Sequence, residues 1–255
     1  MGERYWEVDA IRGLALVGMI VYHWFACMVM FHMIVEDEQF LSVYGTVHIA
    51  SASFILIAGT ALVLRYERMK GKTTQEYYFS IVKRALQLFA IAMVITVASF
   101  IGAKLFMQSD AFIKFGFLHM LSISMLLSIP FLRFGKWNIL PGLIVILLGL
   151  FVIPQFTDPG WLYPMGIHGA DFMDFTQDYF PIFPWFGVML FGIGVGAVAY
   201  PEGKRRFSIR NPGALGKFFA RIGHGNVTLM VYLIHIPIIF VLLWLISLVT
   251  GIGYL

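Results

Sequence analysis

The sequence predicts an all-α fold, a polytopic transmembrane helical bundle of about seven spans with the N-terminus cytoplasmic and the C-terminus outside. Three observations predict it. Of 255 residues, 60% are hydrophobic and 13% charged, with a mean hydropathy of +0.83, whereas a soluble domain is nearer about 45–50% apolar and about 25% charged. Seven stretches meet or approach the ~20 apolar residues that cross a ~30 Å hydrocarbon core as helix. Of the 18 Lys and Arg, only Lys104 and Lys114 fall outside when the N-terminus is placed in the cytoplasm. That is a positive-inside pattern for an odd number of spans.

The same composition excludes a soluble enzyme, a disordered chain and a nucleic-acid-binding domain. The pI of 9.2 therefore reads as orientation, not as affinity for DNA. Cys27 is the single cysteine, which excludes a disulfide framework and a cysteine zinc site. Glu3, Glu7 and Asp9 stand where a signal peptide carries positive charge, and the apolar run after them is too long. The chain is read as mature, with one domain over 1–255.

The stretches are Val8–Val35, Val43–Leu64, Phe79–Phe106, Ile113–Leu132, Trp137–Pro154, Tyr179–Tyr200 and Val227–Leu255, the fifth being the shortest. Pro130, Pro141, Pro154 and Pro181 lie near their ends, where proline is tolerated. In the first helix, His23 stands midway and Arg12 lies three turns earlier on the same face, ~16 Å away along the axis. Asp9, three residues before Arg12, is its expected partner. The face runs from a cationic mouth to a buried imidazole, which suits an anionic cofactor entering from the cytoplasm. A histidine bonded to another helix explains His23 equally well.

His48 and His119 belong to the outer thirds of the second and fourth helices, and His32 to the outer end of the first. With His168 they could line an outer path to His23. Glu36, Asp37 and Glu38 fill the first outer loop. The longest outer loop, 155–178, carries Asp158, Asp171, Asp174 and Asp178 and no Lys or Arg. It reads as a solvated loop or as a vestibule for a polar or cationic acceptor, flanked by Trp161, Tyr163, Tyr179 and Trp185 as an aromatic belt. In the last helix, Pro237 frees the carbonyl of Leu233 beside His235, which suits a cavity-lining bend or a structural kink. No HExxH or close histidine pair supports a metal, and none is expected.

The run Gly192–Ala197 follows no strand and reads as small residues that let helices approach closely, not as a dinucleotide loop. Asn226-Val227-Thr228 lies on the cytoplasmic side and reads as helix N-terminal capping. Lys204-Arg205-Arg206 reads as a topology determinant or an anionic-lipid contact, or as a holder of cofactor phosphates.

Four stretches carry a family resemblance. Val8-Asp9-Ala10-Ile11-Arg12-Gly13-Leu14-Ala15-Leu16 with His23 resembles the first helix of transmembrane acyltransferases. Phe115-Gly116-Phe117-Leu118-His119 resembles the start of a middle helix. Asp178–Gly187 resembles a Phe-Pro-Trp-Phe element, and Gly225–His235 resembles a closing helix with a Tyr-x-x-His pattern. Together they resemble the family containing the catalytic domain of heparan-α-glucosaminide N-acetyltransferase, in its short prokaryotic form. The resemblance implies acyl transfer from cytoplasmic acetyl-CoA or another acyl-CoA to a hydroxyl or amine presented from the outer side, a sugar first among candidates. It implies catalysis by His23, with His32 nearest to the family's second catalytic position.

On this reading Arg12 and Arg84 hold the donor's phosphates, His235 and Asn226 orient groups in the site, and Asp178, His119 and His48 face the acceptor. The expected partners are the lipid bilayer and a small-molecule or glycan acceptor, with no nucleic acid and a homodimer left open. The expected location is a prokaryotic plasma membrane. A proton-coupled transporter, and a non-catalytic membrane protein of the same ancestry, stay open beside this reading.

Overall fold

A computed structural model describes residues 5–34, 38–70, 74–106, 109–158 and 160–253. Glu3, Glu36 and Asp37 of the acidic readings above lie outside them. The regular structure of the described residues is all helical, with one isolated bridge between Phe112 and Thr176 and no strand. The helices are α1 (Trp6–Met30), α2 (Glu38–Met69), α3 (Thr74–Phe106), α4 (Phe117–Ser128), α5 (Ile139–Leu147), α6 (Ile182–Ala199), α7 (Ala214–Ile222) and α8 (Gly225–Thr250). Six helical runs among them are long and apolar enough to cross a membrane. The chain is an integral membrane protein by that measure. It forms two compact units, one of residues 1–57 and 209–255, the other of 58–208.

In the first unit α1 packs against α7 and α8. Two glycines allow it. A Cβ on Gly13 would overlap the carbonyl oxygen of Phe219, and one on Gly223 would overlap the carbonyl oxygen of Asp9. The backbones therefore touch where α7 ends. Further along, Cys27 and Phe31 of α1 form a buried cluster with Ile239 and Leu243 of α8, and the rings of Phe31 and Phe240 meet at 5.0 Å. His23 beside His235 and, at the end of α1, Phe31 beside Phe240 fall in the same order along both helices, so α1 and α8 run parallel. The apolar stretch expected to reach Val35 ends as helix at Met30. α8 closes on Gly251 in the left-handed conformation, which glycine adopts without strain.

In the second unit α6 is the axis. Its small residues receive neighbours at backbone distance, as the glycine run predicts. Gly194 faces Asn138 and Ile139, Gly187 faces Gly142, and Gly196 faces Thr60. Thr60 Oγ1 donates to the carbonyl of Gly192 at 3.0 Å, buried.

The run Phe117–Gln155 covers the fourth and fifth predicted stretches in one helical assignment. It is not one rod, because Gly135 is non-helical inside it at φ 49°, ψ −124°. On one side of that glycine Phe117 meets Phe180 and Ser128 meets Met189, so α4 runs parallel to α6. On the other side Ile139 meets Gly194 and Gly149 meets Pro184, so α5 runs antiparallel. The chain reverses at Gly135. A pattern of apolar residues shows no reversal, because both limbs are equally apolar.

Candidate active site

The first unit brings two of the predicted histidines together. His23, in the last third of α1, places Nδ1 2.9 Å from the carbonyl oxygen of Met19. A carbonyl only accepts, so that nitrogen carries the proton. His235 on α8 likewise places Nδ1 2.6 Å from the carbonyl of Tyr232 and 3.2 Å from that of Val231, and is a donor there. Its Nε2 faces His23 Nδ1 at 3.4 Å and accepts. The two rings stand edge to face, 4.9 Å between centroids. The bookkeeping leaves one nitrogen uncommitted. Nε2 of His23 bonds to no group among the described residues and carries a lone pair. His235 is 5% exposed, so His23 is held by a ring that cannot turn freely. α8 continues as helix through Pro237.

Arg12 sits at the other end of the same interface. Its Nη1 donates to Asp9 Oδ1 and to the carbonyl of Gly223, both at 3.1 Å. The expected partner is present, and Gly223, the C-cap of α7, is a second one. A cation at a helix C-terminus is favourable. The Arg-Gly pair thus docks α7, glycine by close approach and arginine by capping, and the guanidinium is engaged before any phosphate arrives.

Asn226 does not cap α8. The helix begins at Gly225 with His224 at the N-cap, which leaves Asn226 exposed inside the first turn. Thr228, not Asn226, ties this turn back, donating to the carbonyl of Ile222 at 3.1 Å. His32 lies just beyond α1, exposed, at φ 54°. His48 is exposed on α2. Neither is brought to the histidine pair.

The second unit holds Arg84, His119 and Asp178. Arg84 is half-buried on α3. His119 is 3% exposed and three residues into α4. Its Nδ1 accepts from the backbone N–H of Gly116 at 3.2 Å, so its proton is on Nε2, 3.4 Å from Thr96 Oγ1. That hydroxyl in turn donates to the carbonyl of Ile113 at 2.8 Å. Both ring nitrogens are spent on closing the start of α4, and the rings of Phe89 and Phe115 cover the imidazole.

Asp178, at φ 48°, caps the same helix. Its Oδ2 accepts from Phe117 N–H at 3.2 Å, and a Cβ on Gly116 would stand 2.5 Å from that oxygen. Burial pushes the Asp178 carboxyl up to about 7, against the opposing pull of the Phe117 bond. Backbone bonds from Gln177 to Phe112 and from Phe180 to Phe115 hold the two segments side by side.

Sequence reasoning missed what holds this region together. Lys114 lies over three rings, those of Phe112, Phe172 and Phe175, at 5.3–5.7 Å, and Phe172 also stacks on Tyr163 and His168. Lys104 pairs with Asp110. Thr96 as partner of His119 had no signal beyond being a hydroxyl in an apolar helix. Among the described residues no group of three or more His, Cys, Asp or Glu could hold a metal ion.

The profile of the heparan-alpha-glucosaminide N-acetyltransferase catalytic family matches residues 4–237. The chain belongs to this family. The match runs through the Arg12-Gly13 dock, both histidines of the pair and the Asp178 cap, so the elements that carry the resemblance are the ones the fold uses. Members of the family are membrane acetyltransferases, and the apolar helices of this chain accord with that. No curated protein and no solved structure matches the chain.

Proposed function

We propose that this chain is a membrane-embedded acyltransferase that moves an acetyl or acyl group from cytoplasmic acyl-CoA to a hydroxyl or amine, a sugar above all, presented from the outer side. The observation that carries the reading is the uncommitted Nε2 of His23, with the tautomer that exposes it fixed by Met19 and His235. That nitrogen takes the proton of the acceptor as the acceptor oxygen or nitrogen attacks the thioester carbon. The carbon–sulfur bond breaks, and the imidazolium returns the proton to the departing CoA thiolate. His235 is a positioning residue in this scheme. It receives the Nδ1–H of His23 and steadies the ring as charge develops on it.

Arg12 supports the site by docking α7 rather than by meeting the donor. Arg84, Lys204, Arg205 and Arg206, all of the second unit, are the cations proposed for the donor's phosphates. Asp178 and the outer aromatic cluster serve the acceptor side, with His119 holding the start of α4 beneath them.

The reversal at Gly135 supports a count of seven spans, and the excess of Lys and Arg on one side supports an inside N-terminus and an outside C-terminus; a prokaryotic plasma membrane is the location proposed. The family match across both units supports a single acyltransferase-like domain over 1–255. The test is acetyl transfer by the purified chain in lipid nanodiscs, from labelled acetyl-CoA to a panel of amino sugars and sugar hydroxyls. Label on an acceptor is expected. Absence of acetyl-CoA binding at millimolar concentration would contradict the reading and favour a transporter or a non-catalytic descendant.

A further inference from the structure

We infer that α7 is an interfacial anchor. It lies in the inner headgroup layer of an anionic bilayer, with Leu215 and Phe218 among the acyl chains and Lys217, Arg221 and Arg210 on lipid phosphates. The inference rests on the chain being a membrane protein and not on acyl transfer.

Three observations carry it. The first is the helix's own pattern. In its nine residues, a rotation of about 100° per residue puts Leu215 and Phe218 on one face and Lys217 and Arg221 along the adjacent edge. The opposite side is accounted for, because a Cβ on Gly216 would touch the Trp6 ring at 3.4 Å and Phe219 presses its backbone on Gly13. Yet Leu215 is 72% exposed and Phe218 57% exposed, and Lys217 and Arg221 are exposed beside them. Apolar side chains that could have turned onto α1 face outward instead.

The second observation is position. α7 docks on the first turns of α1, at Trp6, Asp9 and Gly13, the end where a candidate span leaves the hydrocarbon. A short amphipathic helix held at that level meets the boundary between headgroups and acyl chains.

The third is charge. From Gly203 to the last residue the chain has no Asp or Glu, while Arg210, Lys217 and Arg221 lie in and beside α7. No carboxylate of this segment neutralises these cations, so the surface is complementary to phosphate. Lys and Arg can lay their stems along the apolar chains and keep their charge at the headgroups. Each cation near an anionic surface strengthens association about fivefold, so removing two costs roughly thirtyfold.

The experiment uses the full chain in proteoliposomes, with single cysteines introduced in a Cys27→Ala background and spin-labelled. Labels replace Leu215, Phe218, Lys217 and, as an exposed reference, Asn211. Accessibility to oxygen and to a water-soluble nickel complex is read in bilayers with phosphatidylglycerol and in phosphatidylcholine alone.

Labels at 215 and 218 are expected in the lipid phase and the label at 217 at the headgroup level. With Lys217→Glu and Arg221→Glu together, the label at 218 should move toward water in the anionic bilayer, with lipid selectivity falling by more than the roughly thirtyfold of neutralisation alone. A label at 218 as open to nickel as the label at 211 would overturn the proposal. So would burial of 218 against a second copy of the chain, seen as spin–spin broadening, or the same depth in both lipids. Unchanged acetyl-CoA binding by the charge-reversed protein would separate failure of the anchor from failure of the acyltransferase reading.

Discussion

His23 and His119 are both imidazoles on apolar helices, and the two units treat them in opposite ways. In the second unit His119 gives one nitrogen to Gly116 N–H and the other to Thr96. Nothing of the ring is left over, and its work is to close a helix. In the first unit His23 gives one nitrogen to Met19 and His235 and keeps the other. His23 is only half-buried, so the nitrogen it keeps back is open to a substrate, and that opening is what the proposed chemistry needs of the ring. The lesson is that a membrane histidine is informative only after both of its nitrogens have been followed to their partners.

The comparison can be broken or sharpened by substitution. The largest effect is expected from His23→Ala, which should lower acetyl transfer by roughly a thousandfold, within the range for a general base. Its unfolding midpoint should stay near wild type, read by transfer assay and thermal unfolding side by side. His119→Ala should do the reverse. It leaves the Gly116 N–H buried without an acceptor and should cost about 1–3 kcal/mol of stability, while the folded fraction keeps its turnover.

His235→Ala should cost about tenfold in kcat, the worth of one positioning hydrogen bond. His235→Gln can both donate to Tyr232 and accept from His23, and should recover most of that loss. The smallest effect is a pH dependence. The Asp178 carboxyl, held up at about 7 when folded against 3.8, keeps its proton where the unfolded chain has lost it. Folding stability should therefore fall as pH rises from about 4 to 7 and level off above. Asp178→Asn should flatten that slope and leave the protein more stable than wild type above pH 7, as thermal unfolding across pH would show.

Much of this was legible in the sequence, for reasons that are local. Hydropathy placed the helices, the i to i+3 spacing placed Asp9 on Arg12, and the run Gly192–Ala197 announced close helix packing. His23 and His235 were each singled out from their depth and surroundings. Their pairing was not, because it depends on α1 and α8 running parallel across 212 residues of sequence separation. His119 was read as lining a path, although Gly116 three residues earlier is the signature of a cap. Asn226 was read as a cap because α8 starts two residues sooner, at Gly225, than its apolar pattern does at Val227. The second carbonyl partner of Arg12 was invisible for the same reason as the histidine pair: it comes from a loop distant in sequence.

The most direct test of the comparison is the protonation of the two rings themselves. Solid-state NMR of the chain in lipid, with nitrogen-15 in every histidine, distinguishes a protonated Nδ1 from a protonated Nε2. His23→Gln and His119→Gln assign the two signals by removing them. The account predicts opposite tautomers, Nδ1–H with a bare Nε2 at His23 and Nε2–H with a bare Nδ1 at His119. The same tautomer at both, or a proton on Nε2 of His23 in the resting protein, would contradict it.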